Sequence, residues 1–442
     1  MRKGKKESFS KRLAALALAV MLCAAGIGAM GCNMGSTGRA SGTQDTQNGN
    51  NEKEDNKSGG FWNLLKRITN GGKGESDKSD TTISDEDFLA KANYLKILID
   101  MYFWKDVDDE DLYEGMYRGL LDALDDPYSC YYTKEEYAEL MESVEGVYCG
   151  IGALVNQSAS TKVITIVRPF VNGPAYNAGV LPGDILTRID GEDVSDWDLN
   201  LAVKRMKGGQ GTTVDVQVWR SAENEYVDLT IIRDLIEVET VTYEMLEDSI
   251  GYIYIMEFDE VTADQFETAL NALKKQGMKG LVIDIRDNPG GLLTTVCDML
   301  DMFIEEGLIV YTLDKYEYKE EIKATPGSIG ELPMAVLVNG NSASASEIFS
   351  GALQDYGLAT IVGTQSFGKG IVQSILPLAD GSAVKMTVST YYTPAGRSIH
   401  GLGITPDVKV ELDEELKQLV VIPLSADNQL QAAIGEVKKK IK

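Results

Sequence analysis

Three stretches of this 442-residue sequence hold side chains whose types and spacing could do chemistry. Asn341-Ser342-Ala343-Ser344-Ala345-Ser346-Glu347 lies between an apolar strand, Met334 to Val338, and a helical stretch from Ile348 to Gln354. Ser344 and Glu347 have the spacing of a capping box, which alone means only a well-started helix. A serine at a strand-to-helix turn also lies beside backbone N–H groups and the positive helix end, where a tetrahedral oxyanion would be stabilised. Capping and nucleophilic catalysis are therefore compatible at Ser344.

A hydroxyl nucleophile needs a base. The single histidine, His400, falls in the loop-like stretch Thr393 to His400. This excludes a His-cluster metal site, and no other residue could serve a Ser-His-Asp triad. Lys369, between Gly368 and Gly370, is the better candidate. Glycines let the backbone pack closely, so the amine can enter a poorly hydrated site where its neutral form accepts a proton. The bland alternative is a surface lysine in a glycine turn. If a strand follows, Lys369, Ile371 and Gln373 share one face, and the Gln373 amide can orient the amine without adding negative charge.

Two look-alikes fail on context. Gly363 to Lys369 matches phosphate-loop spacing, but Gly370 stands where a hydroxyl should bind magnesium, and Ile371 to Pro377 reads as a strand instead of a helix. Ser366 and Lys369 have the Ser-x-x-Lys spacing of penicillin-binding enzymes, but the glycines deny the helical turn that this mechanism needs.

The elements that must position these groups fall into three folded segments. From Asp85 to about Glu145 apolar residues recur at helical spacing, from Phe88, Leu89 and Ala92 through Leu121 and Leu124, until Asp126-Pro127 breaks the pattern. From Val147 to about Asp234 the period shortens to strands at 163–167, 214–219 and 227–232, with one helix near 198–207. From Ile250 strands and helices alternate: 251–257, a helix begun by a Thr262/Gln265 capping box, 280–286, the turn Asp287-Asn288-Pro289-Gly290-Gly291, a helix, and 334–338. Such a βαβ pattern predicts a partly parallel sheet covered by helices.

Two glycine loops stand out in the middle segment. Gly150-Ile151-Gly152-Ala153 lets backbone N–H groups converge on an anion, and Gly173-Pro174-Ala175 runs through Ala178 to Leu186 and on to Ile189-Asp190-Gly191. In this order they resemble a PDZ domain, which captures a chain's terminal carboxylate and adds the peptide as a strand.

The larger set of motifs, Leu124 to Ser129, the PDZ segment, Arg286 to Gly291, Asn341 to Glu347, Phe367 to Gly370 with Gln373, Tyr391 to Pro394, and Gly403 to Asp407, resembles the C-terminal processing peptidases, or tail-specific proteases. Position by position, the resemblance implies Ser344 as nucleophile, Lys369 as general base and Gln373 as its orienter. It implies an oxyanion hole from the N–H groups of Ala345 and of the Gly290-Gly291 turn, and peptide binding at Gly150, Ile151, Gly152 and Ala153. The implied fold is multidomain α/β: an N-terminal helical segment, a β-barrel-like PDZ domain and a crotonase-like α/β protease core. No cofactor or metal is implied. The expected substrates are proteins with free apolar C-termini, cut through an acyl-enzyme. A homodimer through the helical segment stays open. One departure from the family pattern is the extra acid in Leu124-Asp125-Asp126-Pro127.

Charge and the chain start place this body outside the cytoplasm. Residues 1–31 hold six of the 42 Lys and Arg and one of the 68 Asp and Glu, although the whole chain carries a formal charge of −26. The acidic remainder would be repelled by nucleic acid. Basic residues ahead of the apolar run Leu13 to Gly31 have the layout of an export signal, and Gly31-Cys32 resembles a lipoprotein box. Lipidated Cys32, an uncleaved anchor and soluble secretion remain alternatives, the first two tethering the protein to a bacterial membrane. Residues 32–82 cannot bury a core and read as a linker. Cys130, Cys149 and Cys297 have no pairing or zinc spacing and read as free thiols. The resulting division is 1–31 signal or anchor, 32–82 linker, 83–146 helical segment, 147–235 PDZ domain, 236–425 protease core and 426–442 C-terminal helix or tail. A PDZ scaffold with an inactive core and a peptide-binding chaperone are the other classes of protein considered.

Overall fold

The computed structural model describes residues 20–21 and 84–441, apart from Ile329, Glu331, Val420 and Val421. The basic leader, Cys32 and the whole 32–82 linker lie outside the described residues. Contacts divide the chain into two units, residues 27–125 and the remainder.

In the first unit, α1 (Asp85–Tyr102) and α2 (Asp109–Asp122) begin at the caps Ser84 and Asp108, whose side chains accept N–H bonds from Asp87 and Glu110. Lys96 joins the helices by reaching Asp109 at 2.8 Å and the Tyr113 hydroxyl at 2.7 Å. The expected helical periodicity is present, but its apolar stripe is not buried: Leu95 is 50% exposed and Leu120 58%.

The second unit opens with β1 (Cys130–Tyr132) and α3 (Lys134–Glu145), which Thr133 and Glu136 start with a reciprocal capping box and Gly146 ends in a left-handed turn. Strands β2 (Val147–Gly150) and β8 (Asp234–Glu237) pair antiparallel. They bracket the expected PDZ segment as the strands by which the chain enters and leaves it. Between them β3 (Ala153–Gln157), β4 (Ile164–Pro169), β5 (Ile185–Ile189), β6 (Thr213–Arg220) and β7 (Glu225–Ile232) form an antiparallel sheet in sequence order. The helix α4 (Leu199–Met206) buries Ala202 and Met206 against it.

The remaining residues build an α/β core. Its sheet runs β9 (Val241–Met245), β10 (Ile250–Ile255), β11 (Gly280–Asp284), β14 (Met334–Val338), β15 (Ala359–Gly363) and β18 (Val408–Lys409), parallel from β10 onward. Every residue of β11 and β14 is buried, as a parallel sheet covered on both faces requires. Alternation sorts their side chains. Leu281, Ile283, Val336 and Val338 face α5 (Thr262–Lys275), α6 (Leu293–Asp301) and α7 (Ala345–Asp355). Val282, Ala335 and Leu337 face α8 (Asn428–Lys440) through Leu430, Ala433 and Val437. The C-terminal helix thus completes the core instead of trailing from it. A second sheet joins β16 (Ile371–Pro377), β17 (Ala383–Tyr392), β12 (Gly307–Asp314) and β13 (Lys319–Ala324), with β1 also on β17.

The expected Thr262/Gln265 capping box is not how α5 begins. Thr262 is already helical, and its hydroxyl accepts from Asp259 N–H at 3.0 Å and donates to the Glu257 carbonyl. Gln265 Oε1 turns to the N–H groups of Thr240 and Val241. Two unpaired backbone donors on the entering strand outcompeted the local cap.

A buried ion network ties α8 to the sheet. Arg286 donates to Asp284 and Asp427, each 2% exposed, and to Gln429 Oε1 at 2.9 Å. Asp427 in turn caps α8 through the N–H groups of Gln429 and Leu430. Removing the cation would strand two buried carboxylates, so Arg286→Met should cost about 4 kcal/mol, read as a lower urea midpoint.

Candidate active site

Ser344 stands at the turn from β14 into α7, fully buried, with φ 55° and ψ −111°. This conformation is costly for a residue with a Cβ and persists only where its surroundings impose it. The neighbouring serines supply part of that constraint. Ser342 Oγ donates to the Ile285 carbonyl at 2.8 Å and accepts Asn339 N–H at 2.9 Å, while Ser346 Oγ donates to the Asn288 carbonyl at 2.9 Å.

One carboxylate joins this turn to the lysine. Glu347 Oε2 accepts from Ser344 N–H at 2.9 Å and from Lys369 N–H at 2.8 Å; Oε1 accepts from Gly368 N–H at 2.7 Å and from Ser366 Oγ at 2.5 Å. The expected Ser344/Glu347 capping box is therefore present, but its carboxylate also holds the lysine loop. Burial pushes the Glu347 carboxyl above its usual range, against the opposing pull of those four donors. Ser366 passes the linkage on, accepting Ile404 N–H at 2.6 Å.

Lys369 is 4% exposed, and its ammonium lies 4.5 Å from the Tyr128 ring centroid. Its carbonyl accepts from the Tyr391 hydroxyl. The strand β16 begins two residues later, and its pairing with β17 shifts register between Val372 and Gln373. The extra residue at that shift is Val388 of β17, so β16 runs through it without a bulge of its own, and Lys369 lies just ahead of the strand. Gln373 is fully buried; its Nε2 reaches Thr387 Oγ1 at 3.4 Å, and its Oε1 has no hydrogen-bond partner among the described residues. His400 is exposed on a turn. No helix follows the phosphate-loop look-alike, since β16 comes next.

The glycine turn after β11 docks directly onto the serine turn. Asp287 Oδ1 accepts from Asn339 Nδ2 at 2.9 Å and Asn341 Nδ2 at 2.7 Å, and the Asn288 carbonyl accepts Ala343 N–H at 3.1 Å. Gly290 N–H is held by Asn288 Oδ1 at 2.8 Å. Phe258 N–H bonds the Gly290 carbonyl, and Leu292 N–H bonds the Phe258 carbonyl. In parallel pairing this turns the Gly291 N–H to the opposite side. A Cβ on Gly291, at φ +143°, would meet the Phe258 carbonyl oxygen at 2.4 Å, so only glycine fits. Ala345 opens α7, and its N–H is among the first-turn donors that a helix cannot satisfy internally.

At the PDZ segment, β3 is the edge of its sheet and faces α4 across a groove of about 220 Å³. The lining is Tyr148, Ile151, Ala153 and Val155 on one side and Val203, Met206 and Lys207 on the other. Gly152, at φ +69°, makes the turn between Gly150 and Ala153.

Sequence reasoning read Asp126 to Ser129 as a structural turn, yet it packs against the lysine. Asp126 accepts from Ser129 Oγ at 2.5 Å and Tyr128 N–H at 3.2 Å. Burial works to raise its carboxyl, but these bonds, Thr387 and the Lys369 charge hold it below the usual range. Burial, then Asp126 and Glu347, push the Tyr128 hydroxyl up. The signal was available in the Leu124 to Ser129 motif; nothing local linked it to a lysine some 240 positions away. Asn288, Asn339, Asn341 and Ser366 were missed for the same reason.

Two tests follow from these contacts. Glu347→Gln puts an NH₂ against N–H donors that need an acceptor. It should lose about 2 kcal/mol of stability in urea unfolding and roughly a hundredfold in turnover, since the two loops would shift. Asp259, flanking Phe258, is pushed from 3.8 up to about 7 by burial and then by Glu257. The folded protein keeps a proton there that the unfolded chain releases, so this contribution is complete below about pH 4 and lost as pH rises to about 7. Unfolding free energies across that range should show Asp259→Asn gaining a few kcal/mol relative to wild type.

Three family profiles match the chain. The profile of Peptidase family S41 matches residues 249–410, that of the activating protease CtpB N-terminal domain matches 29–136, and a PDZ domain profile matches 166–220. The chain is 40% identical to a carboxy-terminal-processing protease of Bartonella bacilliformis over 69% of its own length and 70% of that protein. It is 37% identical to a probable CtpA-like serine protease of Staphylococcus saprophyticus, covering 80% and 71%. To the carboxy-terminal processing protease CtpA of Bacillus subtilis it is 38% identical, covering 77% and 72%. The chain belongs to peptidase family S41 and is a serine-type peptidase of the carboxy-terminal processing kind, carrying a PDZ domain.

Proposed function

We propose that this peptidase is an endopeptidase that binds free apolar C-termini in its PDZ groove and cleaves the polypeptide with a Ser344–Lys369 dyad. The observation that carries the reading is the shared Glu347 carboxylate, which holds a strained, buried serine and a buried lysine by adjacent backbone N–H groups. The Lys369 amine takes the Ser344 Oγ proton as Oγ attacks the scissile carbonyl carbon, and the proton then passes to the leaving amine. Water, deprotonated by the same amine, releases the acyl-enzyme. Gln373 Oε1, a buried acceptor without a hydrogen-bond partner among the described residues, orients the amine. The oxyanion is met by Ala345 N–H at the positive end of α7 and by the Gly290-Gly291 turn. Within that turn Gly291 is the donor, because Gly290 N–H is engaged by Asn288.

In the groove, the Gly150 to Ala153 loop receives the tail's carboxylate, edge strand β3 pairs with its backbone, and Val203 and Met206 take its apolar side chain. The division of the chain stated from sequence is part of this proposal, with residues 1–31 as signal or anchor, Cys32 as the site of lipidation, and the body held outside the cytoplasmic membrane. So is a homodimer through the apolar stripe left exposed on α1 and α2.

The test is cleavage of an unfolded reporter ending in a free apolar residue. Ser344→Ala and Lys369→Ala should each lower turnover by at least about 10³-fold while Lys369→Ala still binds the tail. Cleavage surviving in either variant would remove the dyad, and tight binding without cleavage by wild type would favour a scaffold.

A further inference from the structure

The groove holds a charge that the glycine loop does not explain. Lys207 follows α4 directly, and Gly208 N–H donates to the Cys149 carbonyl at 3.2 Å. Lys207 Cγ lies 3.6 Å from where a Cβ on Gly150 would stand. A flexible cation thus sits beside the glycine loop in the lining of the groove. Its ammonium is paired with Glu142 of α3 and lies 5.0 Å from the Tyr148 ring centroid. The Tyr148 hydroxyl is pushed up to about 12 by burial and then by Glu142, so the carboxylate borders the groove wall as well as the cation. The two side chains are 37% and 30% exposed, so the pair is neither sealed nor locked.

Relative to Lys207, Glu142 presents what a chain terminus would present: one negative charge on two oxygens. We propose that Lys207 reads the terminal carboxylate of the bound tail and that Glu142 is its resident surrogate, displaced when a tail arrives. This rests on the tail-binding reading of the groove. The exchange takes place on a helix whose other face is committed elsewhere. Tyr137, Leu140 and Val144 of α3 join Leu292, which follows the Gly290-Gly291 turn, and Ile375 of β16.

The test uses the full chain carrying Ser344→Ala and a fluorescent peptide ending in a free apolar residue, beside its C-terminally amidated twin, read by polarisation. Glu142→Gln should tighten the free-acid peptide about two- to fivefold by removing the competitor. Lys207→Gln should weaken it about tenfold and shrink the acid-over-amide preference equally, while Lys207→Arg keeps that preference. Adding Glu142→Gln to Lys207→Gln should bring no further gain, because the two act on one interaction. Unchanged affinity in Glu142→Gln, equal gains in both backgrounds, or an acid preference indifferent to Lys207→Gln would overturn the exchange while leaving tail binding intact. Failure of the wild-type groove to bind the free-acid peptide would overturn both.

Discussion

Four hydrogen bonds to one buried carboxylate organise the catalytic half of this protein. Glu347 is fully buried, and an ionised carboxylate in such a place is tolerated only when its lone pairs are filled. Here the donors are the N–H groups of Ser344, Gly368 and Lys369 and the Ser366 hydroxyl. Three of them belong to backbone, so satisfying the charge fixes the paths of two loops at once. The strained serine and the buried lysine are held by the solution to a desolvation problem.

The sheet decides why those loops meet. Strands β11, β14 and β15 are parallel neighbours, so their C-terminal ends open on one edge. From that edge leave the Asp287 to Gly291 turn, the Asn339 to Ser344 turn and the loop that carries Lys369. Each is locked to the next, by Asp287 to Asn339 and Asn341, and by Glu347 to Gly368 and Lys369. Coverage on both faces by α5, α6, α7 and α8 makes the strands rigid, which a site assembled from three loops requires.

The PDZ domain enters this arrangement through α3 and the β2–β8 pair. One face of α3 packs beside Leu292 and Ile375, and another carries Glu142 to the rim of the peptide groove. A single three-turn helix therefore reaches both Lys207 at the PDZ groove and Leu292 beside the Gly290-Gly291 turn. The PDZ groove and the Ser344 turn are distinct places with one shared wall.

Much of this was written in short-range patterns. Alternation and helical periodicity marked the three segments, nearly continuous apolar runs at 280–286 and 334–338 marked strands of a helix-covered sheet, and local chemistry made Ser344 and Lys369 candidates whose roles, with that of the glycine turn, the family resemblance implied. Local rules failed where a distant partner competed. Gln265 left its own helix cap for Thr240 and Val241. Glu347 read as a helix cap because three-residue spacing is visible in sequence, whereas its bonds to Gly368 and Lys369 depend on the order of parallel strands. Tyr128 read as part of a turn, and only folding set its ring beside the ammonium. The sequence by itself determined which groups could react and which segments would be strands or helices, since both follow from side-chain chemistry and periods of a few residues. Tertiary structure decided which groups face each other, because a buried charge or N–H takes whichever partner the chain brings within about 3 Å, however far away in sequence.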